Sequence, residues 1–152
     1  MNYPDNIPVV LTYKHDPEDE EIFTERVIAE RVGDYYRVIL IPAFAKNLAY
    51  GDLIAVEYDE GEFHFEDLIE ESGYSVVHIV VFQTAASENI AEALARFGCG
   101  VNPHVSDNYI VVNIPPEVDY EPVQAFLLTE ESSGTIDFRE SCLSQLHAPG
   151  KS

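Results

Sequence analysis

The stretch ESGYSVVHIVVF, residues 71–82, marks the change from an acidic first half of the chain to a more apolar second half. A Ser-Gly break separates the acidic residues before it from residues 76–82, of which only His78 is not apolar. A short apolar run that follows turn residues is typical of a buried strand. We therefore predict a domain boundary after Tyr74 and a strand over residues 76–82.

Two helices and three further strands are predicted after this strand. The first helix has Ser87 as its N-cap and Gly98 as its C-terminal stop, and Asp119 caps the second helix. The other strand-like runs are residues 101–105, 109–114 and 135–139. This βαββαβ order predicts a ferredoxin-like unit over residues 75–143, followed by a flexible tail over residues 144–152.

The first 74 residues show strand patterns and no long helix. Strand-like runs are separated by turns at residues 8–13, 22–32, 35–41, 53–58 and 62–69. A short turn of helix is predicted over residues 43–48. Five short strands with frequent turns predict a small, β-barrel-like antiparallel sheet over residues 1–74, so the whole chain is predicted to be α+β.

The charge of the chain excludes several classes of partner. The 152 residues include 28 Asp and Glu against 8 Lys and Arg, which gives a formal charge of −20. Such a surface repels phosphate, so we expect neither nucleic acid nor a membrane surface as a partner. Since 46% of the residues are hydrophobic, the chain is not a disordered acidic tail. Its partners are expected to be cationic or neutral.

Location and cofactors are also constrained by the sequence. No apolar run approaches the roughly 20 residues that cross a bilayer, and residues 1–5 lack the pattern of a secretion signal. We therefore expect a cytoplasmic protein. Cys99 and Cys142 show no metal-ligand spacing, and the acidic loop at residues 16–21 lacks the glycine of a calcium-binding loop. The prediction is two reduced thiols, with no metal and no cofactor.

The histidines carry no catalytic signature. His15, His64, His78, His104 and His147 fall in none of the sequence motifs of metal-dependent or nucleophilic hydrolases. We expect His78 to be a hydrogen-bonded core histidine. Gly98-Cys99-Gly100 follows a predicted helix, whereas a phosphate-binding loop precedes one. The chain is therefore predicted not to be an enzyme.

Five short motifs carry a resemblance to a known family: GDYYRV at residues 33–38, IPAFA at 41–45, LAYGD at 48–52, SGYS at 72–75 and VDYEPV at 118–123. Over residues 21–143 the chain resembles a widespread bacterial family known only as a domain of unknown function. Families of this kind include proteins encoded beside toxins as immunity partners, so the resemblance implies such a role without implying any functional residue.

Residues 59–71 are the densest acidic segment, with seven acids in thirteen positions and no Lys or Arg. Like charges this close repel one another, and a cationic partner offsets that repulsion. Phe63 and Phe65 are expected in the core, with His64 among the outward residues. The predicted partner-binding residues are Tyr58, Asp59, Glu60, Glu62, Glu66, Glu70, Glu71 and Tyr74. The alternative explanation of this acidity is general solubility, or adaptation to a high-salt cytoplasm.

These patterns predict an acidic inhibitor or immunity protein, monomeric or weakly dimeric, that binds the basic active-site cleft of a cationic toxin such as a nuclease. The alternative is a regulatory or scaffold module that dimerises or binds a small ligand through its ferredoxin-like sheet. The alternative follows from the strand at residues 76–82, because both of its faces are apolar and helices cover only one face of such a sheet.

Overall fold

The computed structural model describes residues 4–14, 16, 18, 20–106 and 108–148, except for the side chains of residues 103–105. His15, parts of the acidic loop at residues 16–21 and the side chain of His104 lie outside the described residues. Within these ranges the fold is mixed α+β, with mostly antiparallel sheets and two α-helices, as predicted. Neither helix has the length and apolarity needed to cross a membrane.

The chain divides into two compact units, residues 1–72 and 73–152. The first unit contains the strands β1 (Asn6–Tyr13), β2 (Phe23–Val32), β3 (Tyr35–Val38), β4 (Leu53–Asp59) and β5 (Glu62–Glu70). The second contains β6 (Ser75–Val81), α1 (Ser87–Arg96), β7 (Gly100–Ser106), β8 (Tyr109–Ile114), α2 (Tyr120–Ser132) and β9 (Ile136–Cys142).

The strands of the first unit close into a ring in the order β1-β2-β3-β4-β5. Four of the strand pairs are antiparallel. The fifth, between β1 and β5, is parallel and joins only Val9 with Phe63 and Val10 with His64. The sheet is therefore mostly antiparallel, as predicted, with one parallel contact where ring closure brings the first and last strands together in the same direction.

The core of the first unit follows the two-residue period of its strands. Ile7, Val9 and Leu11 alternate along β1 and are buried with residues from β2, β3 and β4. Tyr36 is fully buried, and its hydroxyl donates a hydrogen bond to the Pro4 carbonyl at 2.8 Å. Each fully buried valine, leucine or isoleucine side chain in this core contributes about 1.5–3 kcal/mol of hydrophobic free energy. The strand pattern in the sequence was therefore a reliable indicator of this core.

The second unit is a four-stranded antiparallel sheet in the order β7-β8-β6-β9, with two helices. Val77, Ile79 and Val81 alternate along β6 and pack with the buried faces of α1 and α2. Asp119 caps α2 as predicted, since its carboxylate accepts the N–H of Glu121 at 3.1 Å. Ser87 is instead the first residue of α1, because a 3₁₀ turn at Thr84–Ala86 precedes that helix.

Residues 144–148 differ from the predicted flexible tail. Ser144 is 1% exposed and His147 is 7% exposed. The backbone N–H of Ser144 donates to the Ser75 hydroxyl at 2.9 Å, which ties this segment to β6. The short sequence SQLHA gave no indication of this attachment, because buried hydrogen bonds hold the segment here.

Candidate protein-binding surface

The hairpin of β4 and β5 carries most of the predicted binding residues. A two-residue turn joins the strands, and both of its residues, Glu60 (φ 51°) and Gly61 (φ 84°), have left-handed backbone conformations. Turns of this kind strongly favour Asn, Asp or Gly at the first position, so a glutamate there is strained. The chain therefore presents a carboxylate at the hairpin tip at a cost in stability.

The carboxylates of residues 59–71 are all exposed. Glu62 forms an ion pair with Arg26 at 2.5 Å, and the hydrogen bond from this guanidinium holds the pKa of Glu62 below its usual value. In the described part of the chain, Asp59, Glu60, Glu66, Asp67 and Glu70 make no ion pair. The hairpin thus carries a concentrated negative charge, and among the described residues only Arg26 forms an ion pair with one of its carboxylates.

Apolar side chains lie exposed among these carboxylates. Tyr58 is 48% exposed, Phe65 38%, Leu68 37% and Ile69 40%. The register between β4 and β5 shifts twice, at Glu66 and at Ile69, so the strict alternation of the strand is lost. Both shifts follow Phe65, so Phe63, His64 and Phe65 still alternate between the two faces of β5. Phe65 shares the face of Phe63 but is 38% exposed, so the expectation that it is a core residue was wrong. His64 is half-buried and lies on the face opposite to Phe63.

Six of the eight predicted binding residues lie on this hairpin: Tyr58, Asp59, Glu60, Glu62, Glu66 and Glu70. Glu71 follows β5 and is exposed. Tyr74 does not belong to the hairpin, because it lies in the second unit and is half-buried. Glu62 differs from the others as well, since its partner Arg26 lies 36 residues earlier in the chain and could not be identified from local sequence.

A groove that the sequence did not indicate lies at the seam of the ring, where β1 and β5 diverge. We call it the seam groove; it has a volume of about 620 Å³. Its lining residues are Val10, Leu11, Thr12, Ala45, Lys46, Asn47, Leu48, His64, Phe65, Asp67 and Leu68. Val10, Leu11, Ala45 and Leu48 are buried and form an apolar floor. The groove could not be predicted from the sequence, because its lining residues come from three separate segments of the chain.

The loop between β3 and β4 forms one wall of the seam groove and is held by Glu25. The carboxylate of Glu25 accepts the backbone N–H groups of Ala43 at 2.6 Å, Phe44 at 3.1 Å and Ala45 at 2.9 Å. These contacts keep residues 43–48 in an irregular loop, so the predicted turn of helix is absent. The IPAFA motif thus has a structural role.

Asp52 holds the other end of the same loop. Its buried carboxylate accepts the N–H groups of Ala49 and Ser72, each at 2.9 Å. Burial raises the pKa of Asp52, and these two hydrogen bonds partly oppose that shift. The LAYGD motif, like the IPAFA motif, therefore builds the loop beside the groove.

The second unit contains a buried Ser-His cluster. The Nε2 of His147 lies 3.0 Å from the Val118 carbonyl, which can only accept, so Nε2 carries the proton. Nδ1 then accepts the Ser75 hydroxyl at 2.6 Å. Each polar atom of Ser75 and His147 has a partner, which is the pattern of a structural anchor rather than of a catalytic pair.

His78 is likewise a core histidine, as predicted. It is 3% exposed, and its Nδ1 accepts hydrogen bonds from Ser141 at 2.6 Å and Arg139 at 3.0 Å. Among the residues that the structure describes, no group of three His, Cys, Asp or Glu side chains is placed to hold a metal ion.

Comparisons with known proteins give one structural and one family relationship. A crystal structure of a hypothetical protein from Neisseria gonorrhoeae is similar, with 26% identity and a TM-score of 0.77, over 95% of this chain and 98% of that chain. No curated protein matches the chain. The family model "Domain of unknown function (DUF4265)" matches residues 25–138. The chain therefore belongs to this family of unknown function.

Proposed function

We propose that this chain is an acidic inhibitor or immunity protein that neutralises a cationic protein toxin, and that the toxin is a nuclease. The observation that supports the proposal is the β4–β5 hairpin, where unpaired carboxylates surround exposed apolar side chains. A nuclease cleft is built to attract the phosphates of RNA or DNA, so it also attracts a dense set of carboxylates. Binding there blocks substrate entry without any catalysis by the chain.

Electrostatic attraction would act mainly on the rate of association. Complementary fields raise association rates by about 10 to 1,000-fold at low salt, and the effect declines as ionic strength rises. Glu60, Glu66 and Glu70 are the residues that supply this field in the proposal, because no cation in the described chain neutralises them. Glu62 contributes less, since Arg26 already holds its charge.

Apolar anchors would supply the lasting affinity. Interfaces depend on a few aromatic or aliphatic side chains that become fully desolvated, and surrounding polar residues exclude water. Tyr58 is the proposed central anchor: it is 48% exposed and is held edge-on against Phe63 with ring centroids 5.1 Å apart. A side chain held in place before binding loses little conformational entropy on binding.

The finer description of the fold belongs to the same proposal. We infer that the first unit is a small barrel, which the closed strand order supports, and that the second is ferredoxin-like. The ferredoxin-like assignment is supported by the sheet order β9-β6-β8-β7, with one helix after β6 and the other after β8.

The decisive experiment uses the protein encoded by the gene immediately upstream. That protein is expressed in a susceptible host with and without this chain, and its cleavage of RNA and DNA is measured with purified components. The proposal expects the chain to restore growth and to inhibit cleavage stoichiometrically. A toxin whose growth inhibition and cleavage are unaffected by the chain would overturn the proposal.

Matched charge reversals locate the surface. The variant Glu66→Lys with Glu70→Lys changes the net charge by the same amount as the control Glu131→Lys with Asp137→Lys in the second unit. All four residues are exposed. We expect the hairpin variant to weaken inhibition at least about tenfold at low salt and the control to change it far less. Equal effects of the two variants would show that only total charge matters.

A regulatory or scaffold module remains the second candidate because of two side chains at the end of β6. Val80 is 37% exposed and Phe82 is 64% exposed, and both stand on the strand face opposite to the core residues Val77 and Ile79. Such a patch is typical of a contact with another copy or with a small apolar ligand. Sedimentation at two concentrations distinguishes the candidates, since this module would dimerise as concentration rises.

A further inference from the structure

One edge of β5 has no neighbouring strand inside the seam groove. β5 pairs with β1 only as far as His64, although β5 continues to Glu70. In the described chain, no strand pairs with this edge from Phe65 onward, and residues 45–48 make no backbone hydrogen bond to it. Among the described residues, this edge of β5 therefore has no strand partner beyond His64, which is the arrangement that accepts the backbone hydrogen bonds of an incoming strand.

The groove provides apolar contacts beside this open edge. Phe65 and Leu68 stand opposite Val56 and Ile54 of β4, so the bulge at Glu66 places both on one face of the sheet. Each is more than one-third exposed, and both line the seam groove. An open strand edge next to an apolar groove is the arrangement that binds extended segments by strand addition, with backbone hydrogen bonds for affinity and pockets for alternate side chains.

The side chains of β5 indicate what the added strand must carry. Residues directly opposite one another on paired strands interact, and opposite charges there are favourable. Positions across from Phe65 and Leu68 suit apolar residues, whereas positions across from Glu66 and Glu70 suit basic ones. A second copy of β5 is disfavoured because its carboxylates would lie against these. Lys46 belongs to the β3–β4 loop, which forms the opposite wall of the groove, so its positive charge does not lie on β5.

We propose that the seam groove binds an extended segment of alternating apolar and basic residues, from a cationic partner protein, as an added strand on the edge of β5. The identity of that partner rests on the proposed function. The proposed binding mode is independent of that function, because a peptide of the stated pattern can be tested without the toxin.

The experiment uses the full ¹⁵N-labelled chain and an acetylated, amidated (Lys-Val)₄ peptide, with (Glu-Val)₄ as the control. We expect amide shifts concentrated at residues 65–70 and at Leu11 and Thr12. The acidic peptide is expected to bind at least about tenfold more weakly at low salt. Two further peptides carry N-methyl groups on every Lys or on every Val. Since N–H groups of alternate residues point to opposite edges, one of these loses its hydrogen bonds to β5 and the other keeps them.

Strand addition predicts that one methylated peptide loses affinity at least about tenfold and the other much less. Phe65→Ala with Leu68→Ala should weaken binding similarly, and Leu128→Ala, a control at an exposed leucine of α2, should not. Absence of shifts at residues 65–70, or equal binding of all three basic peptides, would overturn the proposal. If the toxin is inhibited but these peptide results fail, the proposed function stands without the groove; if the reverse holds, the groove stands without that function.

Discussion

Removal of the Glu25 carboxylate is expected to destabilise the first unit by about 2–4 kcal/mol. This side chain accepts three backbone N–H groups, from Ala43, Phe44 and Ala45. Ala45 is 4% exposed, so its N–H would be left buried without a partner, at a cost of about 1–3 kcal/mol. The other two residues are half-buried, and water can replace much of what they lose.

Two variants separate the hydrogen bonds from the charge. Glu25→Ala removes all three acceptors. In Glu25→Gln the remaining oxygen can still accept from Phe44 and Ala45, while the new amide group faces the N–H of Ala43, so we expect a loss of about 1–2 kcal/mol. Glu30→Ala is the matched control on the same strand, because Glu30 is exposed and its removal relieves the same unit of charge repulsion.

The assays are urea unfolding followed by circular dichroism and hydrogen exchange at the amides of residues 43–45. Glu25→Ala should lower the free energy of unfolding more than Glu25→Gln, and Glu30→Ala should stay within about 0.5 kcal/mol of the wild type. Faster exchange should be confined to the loop in Glu25→Gln. The reasoning is refuted if Glu25→Ala matches Glu30→Ala in stability and leaves exchange at Ala45 unchanged.

Three further predictions follow from strained or buried groups. Glu60→Gly should stabilise the chain by about 1 kcal/mol in urea unfolding, because glycine adopts the left-handed turn conformation without strain, and no gain would contradict this. Because burial raises the pKa of Asp52, the contribution of this carboxyl to stability is largest below the pKa of the unfolded carboxyl and declines as pH rises. The free energy of unfolding of the wild type, relative to that of Asp52→Asn, should therefore fall from pH 3 to pH 7. A rise of the wild type relative to the variant would refute the sign. Burial raises the pKa of Cys99 to about 11, so at pH 8 it should react with a thiol reagent far more slowly than the partly exposed Cys142; equal rates would contradict its burial.

Local patterns in the sequence identified several elements of the second unit. The apolar run of β6, the cap at Asp119 and the helix stop at Gly98 each depend on residues within one element, and all three are present in the structure. Periodicity and capping act over a few residues, so they can be recognised without knowledge of the fold. The acidity of residues 59–71 was equally evident, because composition does not depend on conformation.

Most of the predicted binding residues are neighbours in the structure for the same reason, and their role in binding stays a prediction. Residues 58–70 form a single hairpin, so neighbours in sequence remain neighbours in space. The assignment of Phe65 to the core failed because β1 separates from β5 after His64, which leaves Phe65 lining the seam groove, and alternation along β5 cannot show where two strands separate. The pairing of Glu62 with Arg26 was missed because it joins strands far apart in the chain.

What the sequence by itself determined was the excess of negative charge, the strand and helix periodicity, and the division near Tyr74. Only the tertiary structure decided that β1 and β5 meet in parallel for two residue pairs and then separate, which opens the seam groove. It also turned Glu25 and Asp52 into anchors for the loop beside that groove. Ring closure brings together residues some 50 positions apart, and the geometry of that contact depends on every strand between them.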